Sequence, residues 1–120
     1  MPAPAQTLDT ARAHLAAGRL AEAEAACQDL LRQDEVCVPA LHVLALVQAQ
    51  TGRLGPGAAS LEQAVQLAPD NFAARNDLGA MLITLNRPDK AEIQLQAAVA
   101  LQPDSAEARV NLGNAVHAQG

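Results

Sequence analysis

Apolar residues recur along most of the chain at steps of three and four, which is the spacing of one face of an α-helix. Leu41, Leu44 and Val47 form one such run, and Leu61 and Val65 belong to the next. Strict alternation of apolar and polar residues, the pattern of a half-buried strand, is not what these runs show. The pattern predicts helices at 4–17, 20–33, 38–51, 55–67, 72–85, 88–101 and 106–119.

The chain repeats itself with a 34-residue period. Shifted by one period, LAPDNFAARNDLG at 67–79 lies over LQPDSAEARVNLG at 101–113, and seven of the thirteen positions are identical. The same shift aligns the segment 18–20 with 52–54 and then with 86–88. Each period therefore contains two helical patterns separated by a turn, and the repeating unit is a helix-turn-helix.

Residues typical of helix ends fall where this periodicity needs them. Pro69 and Pro103 end one helix of the pattern, and Asn71 and Ser105 are good N-cap residues for the next. Pro88 stands at a helix start, where its missing N–H removes no hydrogen bond. The sequence thus predicts an all-α chain made of short antiparallel helices.

A 34-residue helix-turn-helix period is typical of the tetratricopeptide repeat (TPR) family, which this chain resembles over nearly its whole length. The family requires small residues where the two helices of a unit approach most closely. Those columns are filled in the first helices by Ala11, Ala45, Gly79 and Gly113, and in the second helices by Ala23, Gly57 and Ala91. The GRL turns and the ARNDLG and ARVNLG openings are similar to bacterial repeats that precede O-linked N-acetylglucosamine transferase-like domains.

The resemblance implies a right-handed α-solenoid of about seven helices, forming a single TPR array over 1–120. Its repeats would be 4–37, 38–71 and 72–105, with the first helix of a fourth at 106–120. We expect the chain to be the N-terminal piece of a longer array, because its last predicted helix is not a polar capping helix.

The first predicted repeat departs most from the family pattern. Thr10 stands where the family has a leucine, Leu30 where it has a small residue, and Glu35 where it has a proline. Terminal repeats are often atypical. The columns that usually hold aromatic residues are also filled differently, by Thr7, Leu41, Arg75 and Arg109.

Composition supports the helical prediction. Half of the 120 residues are hydrophobic, yet Phe72 is the single aromatic residue, and 28 alanines and 17 leucines dominate. Only eight valines and two isoleucines supply the β-branched aliphatic side chains that sheets favour. This balance argues against a β-sandwich and against an aromatic-lined cofactor pocket.

Charge and hydropathy narrow the classes of partner and location. The formal net charge is −5, and no run of Lys or Arg occurs, so nucleic acid is not an expected partner. No stretch of about 18 apolar residues is present, so we expect no membrane partner. The start lacks a secretory signal pattern, and two cysteines are too few for a disulfide framework, so we expect a cytoplasmic protein with free thiols.

The sequence contains no motif that predicts an enzyme. Phosphate-binding glycine loops, HExxH and CxxC are all missing, and the histidines lack metal-ligand spacing. Thr10, Ser60 and Ser105 have no base beside them in sequence, so no nucleophilic site is indicated. We therefore expect no catalytic residues, no metal site and no cofactor.

The resemblance implies that the first helix of each repeat lines a concave groove for an extended peptide or a partner helix. The residues carried over to that groove are Arg12, His42, Leu46, Gln50, Asn76, Asp77, Ala80, Ile83, Asn111, Asn114 and His117. Asn76, Asn114 and Gln50 would bond the peptide backbone, with Leu46 and Ile83 as apolar anchors. The alternative interpretation is that these positions are ordinary helix surface.

Two comparisons within the family sharpen this groove. Chaperone-binding members clamp a C-terminal carboxylate with Lys, Arg and Asn, whereas Arg12 is the one cation expected in this groove. Glycosyltransferase-linked members carry an asparagine ladder, and here Asn111 matches its column, with Asp77 as a near substitute. We therefore expect a groove of amide and apolar groups.

Three functions follow from these features. The first is a non-enzymatic protein-interaction scaffold that binds a protein or peptide. The second is the N-terminal, substrate-recruiting segment of a larger enzyme such as a glycosyltransferase. The third is self-association through the apolar face of the last helix, which carries Leu112, Ala115 and Val116.

Overall fold

The computed structural model describes residues 3–120, and this part of the chain forms seven α-helices without a strand. The helices are α1 (Pro4–Ala16), α2 (Leu20–Gln33), α3 (Val38–Gln50), α4 (Leu54–Leu67), α5 (Phe72–Thr84), α6 (Pro88–Leu101) and α7 (Ala106–Ala118). Each end lies within one residue of the position that the periodicity predicts. None of the helices in residues 3–120 is long and apolar enough to cross a membrane.

The helices group into two compact units, one ending at Leu67 and the other running from Ala68 to Gly120. In the first unit α1 to α4 pack in sequence, and α1 also contacts α3. In the second unit α6 packs on both α5 and α7, and α5 contacts α7. Within each unit the first helices of successive repeats are thus neighbours, while the repeat boundaries at 37/38 and 71/72 remain a prediction.

Left-handed residues end the first helix of each repeat. Gly18 and Gly52 have φ angles of 77° and 78°, and Asn86 takes the same place with φ 61°. Glycine adopts this conformation without a Cβ clash, and asparagine tolerates it better than most residues. In each turn the next N–H donates to a carbonyl five residues back at 2.7–2.8 Å: Arg19 to His14, Arg53 to Gln48, and Arg87 to Leu82. These bonds fix the chain reversal that brings the second helix onto the first.

Small and apolar side chains fill the interior of the first unit. Ala11 and Ala23, predicted for the close approach of α1 and α2, are both fully buried. They form one cluster with Cys27, Val43 and Val47. Both cysteines of the chain are free thiols, and burial raises the pKa of the Cys27 thiol to about 11. Cys27 therefore behaves as a small hydrophobic core residue.

An ion pair also joins parts of the first unit. Arg53, in the turn after α3, donates to both carboxylate oxygens of Glu24 on α2 at 2.9 and 2.7 Å. The hydrogen bond from Arg53 is the main reason that the pKa of Glu24 lies below its usual value. Because both side chains are partly exposed, this fork orients the turn more than it stabilises the fold.

Close approach in the second unit depends on Gly79 of α5. A Cβ at this position would lie 2.4 Å from Cγ of Leu95 on α6, and Leu95 is completely buried. Ala91 and Ala98 of α6 are fully buried as well. Of the predicted small residues, Gly79 therefore lies at the interface between α5 and α6, and Ala91 is buried on α6.

Candidate functional site

A buried amide joins the first helices of the second unit. The side chain of Asn76, in the middle of α5, is 3% exposed. Its Nδ2 donates to Oε1 of Glu107 at 3.1 Å, and its Oδ1 accepts from Nδ2 of Asn111 at 3.1 Å. Both partners lie on α7. The two ends of the Asn76 amide are therefore satisfied inside the unit, as a buried polar group requires.

The sequence positions this network through the caps and the helical spacing. The side chain of Asn71 accepts from the N–H of Ala74 at 3.1 Å and caps α5. Ser105 caps α7 in the same way, one repeat later, by accepting from Ala108 at 3.2 Å. Glu107 and Asn111 are four residues apart and therefore share one face of α7. A carboxylate in the first turn of α7 also complements the positive end of the helix dipole.

The structure changes the role that is expected for Asn76. The sequence predicts that Asn76 bonds a peptide, yet its amide oxygen and one of its N–H groups already bond α7 side chains. Asn111 is half-buried, and its bond to Asn76 uses one of its two amide N–H groups. Its second N–H and its carbonyl oxygen remain as hydrogen-bonding capacity at the partly exposed surface between α5 and α7.

The other predicted residues of the second unit surround this amide pair at different depths. Asp77, Ala80 and Ile83 of α5 are half-buried, whereas Asn114 and His117 of α7 are exposed. We call the partly or fully exposed members of this set, together with Asn111, the α5–α7 surface. Glu107 was missed by the sequence prediction, although its position four residues before Asn111 is a signal that could have found it.

The first unit carries a separate set of predicted residues on α1 and α3. Arg12 and Gln50 are exposed, and His42 and Leu46 are half-buried. Because α1 and α3 contact each other, these residues lie on neighbouring helices of one unit. The hydrogen bond from Asn111 to Asn76 directly joins two of the predicted residues.

Neither set of residues forms a metal centre. In the described residues 3–120, no group of three or more His, Cys, Asp and Glu side chains is placed to hold a metal ion. Two of the four polar side chains of the α5–α7 surface, Asn111 and Asn114, are amides, which donate and accept hydrogen bonds without carrying charge.

Helix pairs that recur with a 34-residue period, with small residues at their closest approach, define a helical repeat protein. Models of the tetratricopeptide repeat match residues 8–55 and 49–110. The chain therefore belongs to the tetratricopeptide repeat family, and no curated protein sequence matches it.

Solved structures confirm the all-α repeat fold predicted from the sequence. An O-GlcNAc transferase mutant of Thermobaculum terrenum is 28% identical and superposes with a TM-score of 0.86 over 98% of this chain, which spans 23% of that protein. YrrB, described as a TPR protein with an unusual peptide-binding site, is 24% identical with a TM-score of 0.88, covering 95% of this chain and 59% of its own. The first TPR of Spaghetti (RPAP3), bound to the HSP90 peptide SRMEEVD, has 16% identity and a TM-score of 0.91 over 97% and 94% of the two chains.

Proposed function

We propose that this chain is a non-enzymatic interaction module that binds an extended peptide or partner helix on its first helices. The observation that carries the proposal is the Asn111 amide, held at the α5–α7 surface by the buried Asn76. A fixed amide is suited to bonding a peptide backbone, which presents a donor and an acceptor at nearly every residue.

Pre-organisation explains why a buried partner for Asn111 matters. A free asparagine side chain loses rotamer freedom when it binds, and that loss subtracts from affinity. The hydrogen bond that Asn111 donates to the amide oxygen of Asn76 restricts the Asn111 amide before the ligand arrives. Ala80 and Ile83, half-buried nearby on α5, supply apolar surface for the ligand's side chains.

Charge indicates which peptides this surface disfavours. Asp77 and Glu107 bring carboxylates to α5 and α7, and the groove residues predicted on these two helices include no Lys or Arg. An acidic peptide such as SRMEEVD, which RPAP3 binds, would meet like charges here. We therefore expect ligands of neutral or basic character, bound through their backbone.

The structural neighbours support peptide binding as the general activity. Two of them, RPAP3 and YrrB, are described by the peptide or the peptide-binding site that they have. Repeats of this family generally act as interaction modules and not as catalysts. These likenesses favour a scaffold, while the choice of surface rests on the contacts of Asn111.

Selection from a phage-displayed library of random peptides tests the proposal. The dissociation constant of a selected peptide is measured for the parent chain and for Asn111→Ala. We expect binding to weaken by about three- to tenfold, the effect of losing one or two hydrogen bonds. Gln96→Ala on α6 is the matched control, because Gln96 is an exposed amide bonded to Glu92 of its own helix. Equal affinity of Asn111→Ala and the parent chain would rule out this surface.

A second candidate function is the substrate-recruiting segment of a larger enzyme. It is favoured by the 28% identity to the Thermobaculum terrenum O-GlcNAc transferase, of which this chain spans 23%. The reading frame downstream of codon 120 tests it directly. A nucleotide-sugar-binding domain in the same frame would support recruitment to a glycosyltransferase, and a stop codon soon after Gly120 would contradict it.

Self-association through α7 remains a third proposal. Val110 and Val116 on this helix are 61% and 51% exposed, whereas Ala115, which was predicted for the same apolar face, is fully buried. Light scattering across a concentration series measures the molar mass. A dimer that Val116→Lys dissociates would support association through α7, and a concentration-independent monomer would contradict it.

A further inference from the structure

An open cleft lies on the first unit between α1 and α2. Its volume is about 310 Å³, at the lower end of the range for ligand pockets. Six side chains line it: Thr7 and Thr10 from α1, and Glu22, Ala25, Ala26 and Asp29 from α2. The cleft therefore has the size of a site for one or two side chains of a partner.

The cleft exists because α1 carries short side chains where the other repeats carry longer ones. Thr7 is in the 34-residue register of Arg75, and Thr10 is in the register of Leu78. Leu78 is fully buried in the second unit. The Thr7 hydroxyl donates to the carbonyl of Ala3 at 3.3 Å and thus belongs to its own helix. The two threonines leave open the space that larger residues take elsewhere.

The second unit shows what occupies the equivalent space. The guanidinium of Arg75 lies between α5 and α6, where Nη1 donates to Oε1 of Gln94 at 2.9 Å. Its Nε donates to the carbonyl of Pro69, also at 2.9 Å. Gln94 is in the register of Ala26, so the first unit lacks both the arginine and its amide partner. At this position of the repeat, the second unit therefore accommodates an arginine side chain, both its aliphatic stem and its guanidinium group.

Charge makes the cleft of the first unit complementary to such a group. Glu22 and Asp29 are seven residues apart, so they lie about 10 Å from each other along the same face of α2. Ala25 and Ala26 form an apolar strip between them, and none of the six lining residues is a cation. Asp29 pairs with Arg32, but both side chains are more than half exposed, so this pair is easily exchanged.

We propose that this cleft binds an arginine side chain of a partner protein. The aliphatic stem lies over Ala25 and Ala26, and the guanidinium forms a charge-assisted fork with Glu22 or Asp29. Arginine fits better than lysine because its planar donors match a carboxylate in pairs. This site is independent of the α5–α7 surface and goes beyond the proposed peptide binding.

Nuclear magnetic resonance with two small probes tests the proposal. N-acetylarginine methylamide is titrated into the full chain, and N-acetylcitrulline methylamide serves as the uncharged probe of the same shape. We expect arginine to shift the amide signals of the six lining residues in a saturable way. Citrulline should bind about two- to fivefold more weakly, which is the worth of one exposed ion pair. Equal binding of the two probes, or saturable shifts only outside the cleft, would overturn the proposal.

Two variants separate loss of the site from loss of the fold. Thr10→Leu restores the leucine found at this column in other repeats, and should fill the cleft. We expect it to abolish the arginine-dependent shifts while the melting temperature stays the same or rises. Glu22→Gln combined with Asp29→Asn changes exposed side chains alone, and should weaken arginine binding by about two- to fivefold without unfolding the chain. Unchanged arginine binding in either folded variant would overturn the proposal.

Discussion

Helices α5 and α7 have the same place in successive repeats and nearly the same opening sequence, but their buried surfaces differ. Leu82 on α5 is 2% exposed, whereas Val116, its counterpart one repeat later, is 51% exposed. Gly79 on α5 approaches Leu95 so closely that a Cβ would lie 2.4 Å from its Cγ. At Gly113 on α7, the same added atom would meet nothing within 4 Å.

The difference shows that a repeat column acquires its energetic role from the helix that packs on it. Helix α6 presents Leu95 to Gly79, and this contact makes a small residue necessary on α5. The same glycine on α7 has no such neighbour among the described residues, so its size has no packing consequence there. Substitutions at matched positions of α5 and α7 can therefore distinguish the effect of the repeat position from the effect of the helix that packs on it.

The largest effect is expected at Leu82 and Val116. Leu82→Ala should lower the free energy of unfolding by about 2 to 5 kcal/mol, because it leaves a cavity in a closely packed interior. Val116→Ala should change it by about 0.5 kcal/mol or less, since half of the side chain is already in water. Urea unfolding followed by circular dichroism measures both values.

Val110→Ala is the control for a general loss of apolar area on α7, because Val110 is 61% exposed. It should behave like Val116→Ala. A cost of about 2 kcal/mol or more for Val116→Ala at low protein concentration would contradict the comparison, since it would mean that α7 is as tightly packed as α5.

The next largest effect is expected at the two glycines. Gly79→Ala should cost about 1 to 3 kcal/mol, because the new methyl group overlaps a fully buried leucine. Gly113→Ala should stabilise the chain by about 0.5 to 1 kcal/mol, since alanine has the higher helix propensity and meets no obstacle. The same unfolding measurements give both signs.

Leu95→Ala provides the control for the glycine pair. In that background Gly79→Ala should lose most of its cost, because the overlapping side chain has been removed. If the cost of Gly79→Ala is the same with and without Leu95, the close contact between α5 and α6 is not its cause.

The sequence was sufficient to predict the helices and the small-residue columns. Because the 34-residue period occurs three times, the position of each turn can be checked against the equivalent turns of the other repeats. The helix ends were therefore predicted to within one residue. Gly18 and Gly52 mark two of the turns directly, and Asn86 marks the third with one of the few other residue types that tolerate the same conformation.

The polar site and the cleft were harder to predict, because they depend on contacts between residues far apart in the sequence. The burial of Asn76 follows from Glu107 and Asn111, which lie 31 and 35 residues later. The sequence identified Thr7 and Thr10 as departures from the family pattern. That these departures leave an open volume, and that carboxylates line it, follows from how α1 and α2 pack.

A third prediction compares Asn76 on α5 with Val110, which occupies the same column on α7. Asn76→Ala should cost about 1 to 2 kcal/mol, because the link from α5 to α7 through two hydrogen bonds is lost. Val110→Ala should cost about 0.5 kcal/mol or less. Asn76→Ala should also weaken the binding of a selected peptide, because Asn111 is no longer held in place. Isothermal titration calorimetry measures this loss of affinity.

Asn111→Ala separates these two effects of the Asn76 substitution. It should weaken the peptide as strongly as Asn76→Ala does, but cost less stability, since Asn111 is half-buried and water can replace it. Full affinity in the Asn76→Ala variant would show that Asn76 does not position Asn111 for binding.

The smallest effect concerns the feature that α5 and α7 share. Asn71→Ala and Ser105→Ala each remove an N-cap hydrogen bond, of 3.1 and 3.2 Å, and each should cost about 1 kcal/mol. Because a cap satisfies the backbone N–H groups of its own helix, this cost does not depend on what packs against the helix face. Urea unfolding should give equal losses of stability for the two cap substitutions and unequal losses for Leu82→Ala and Val116→Ala. That result would show that α5 and α7 differ in what packs against their faces and not in their N-terminal caps. A clearly larger cost for the cap on α5, by about 2 kcal/mol, would instead mean that the end of α5 is coupled to its packing.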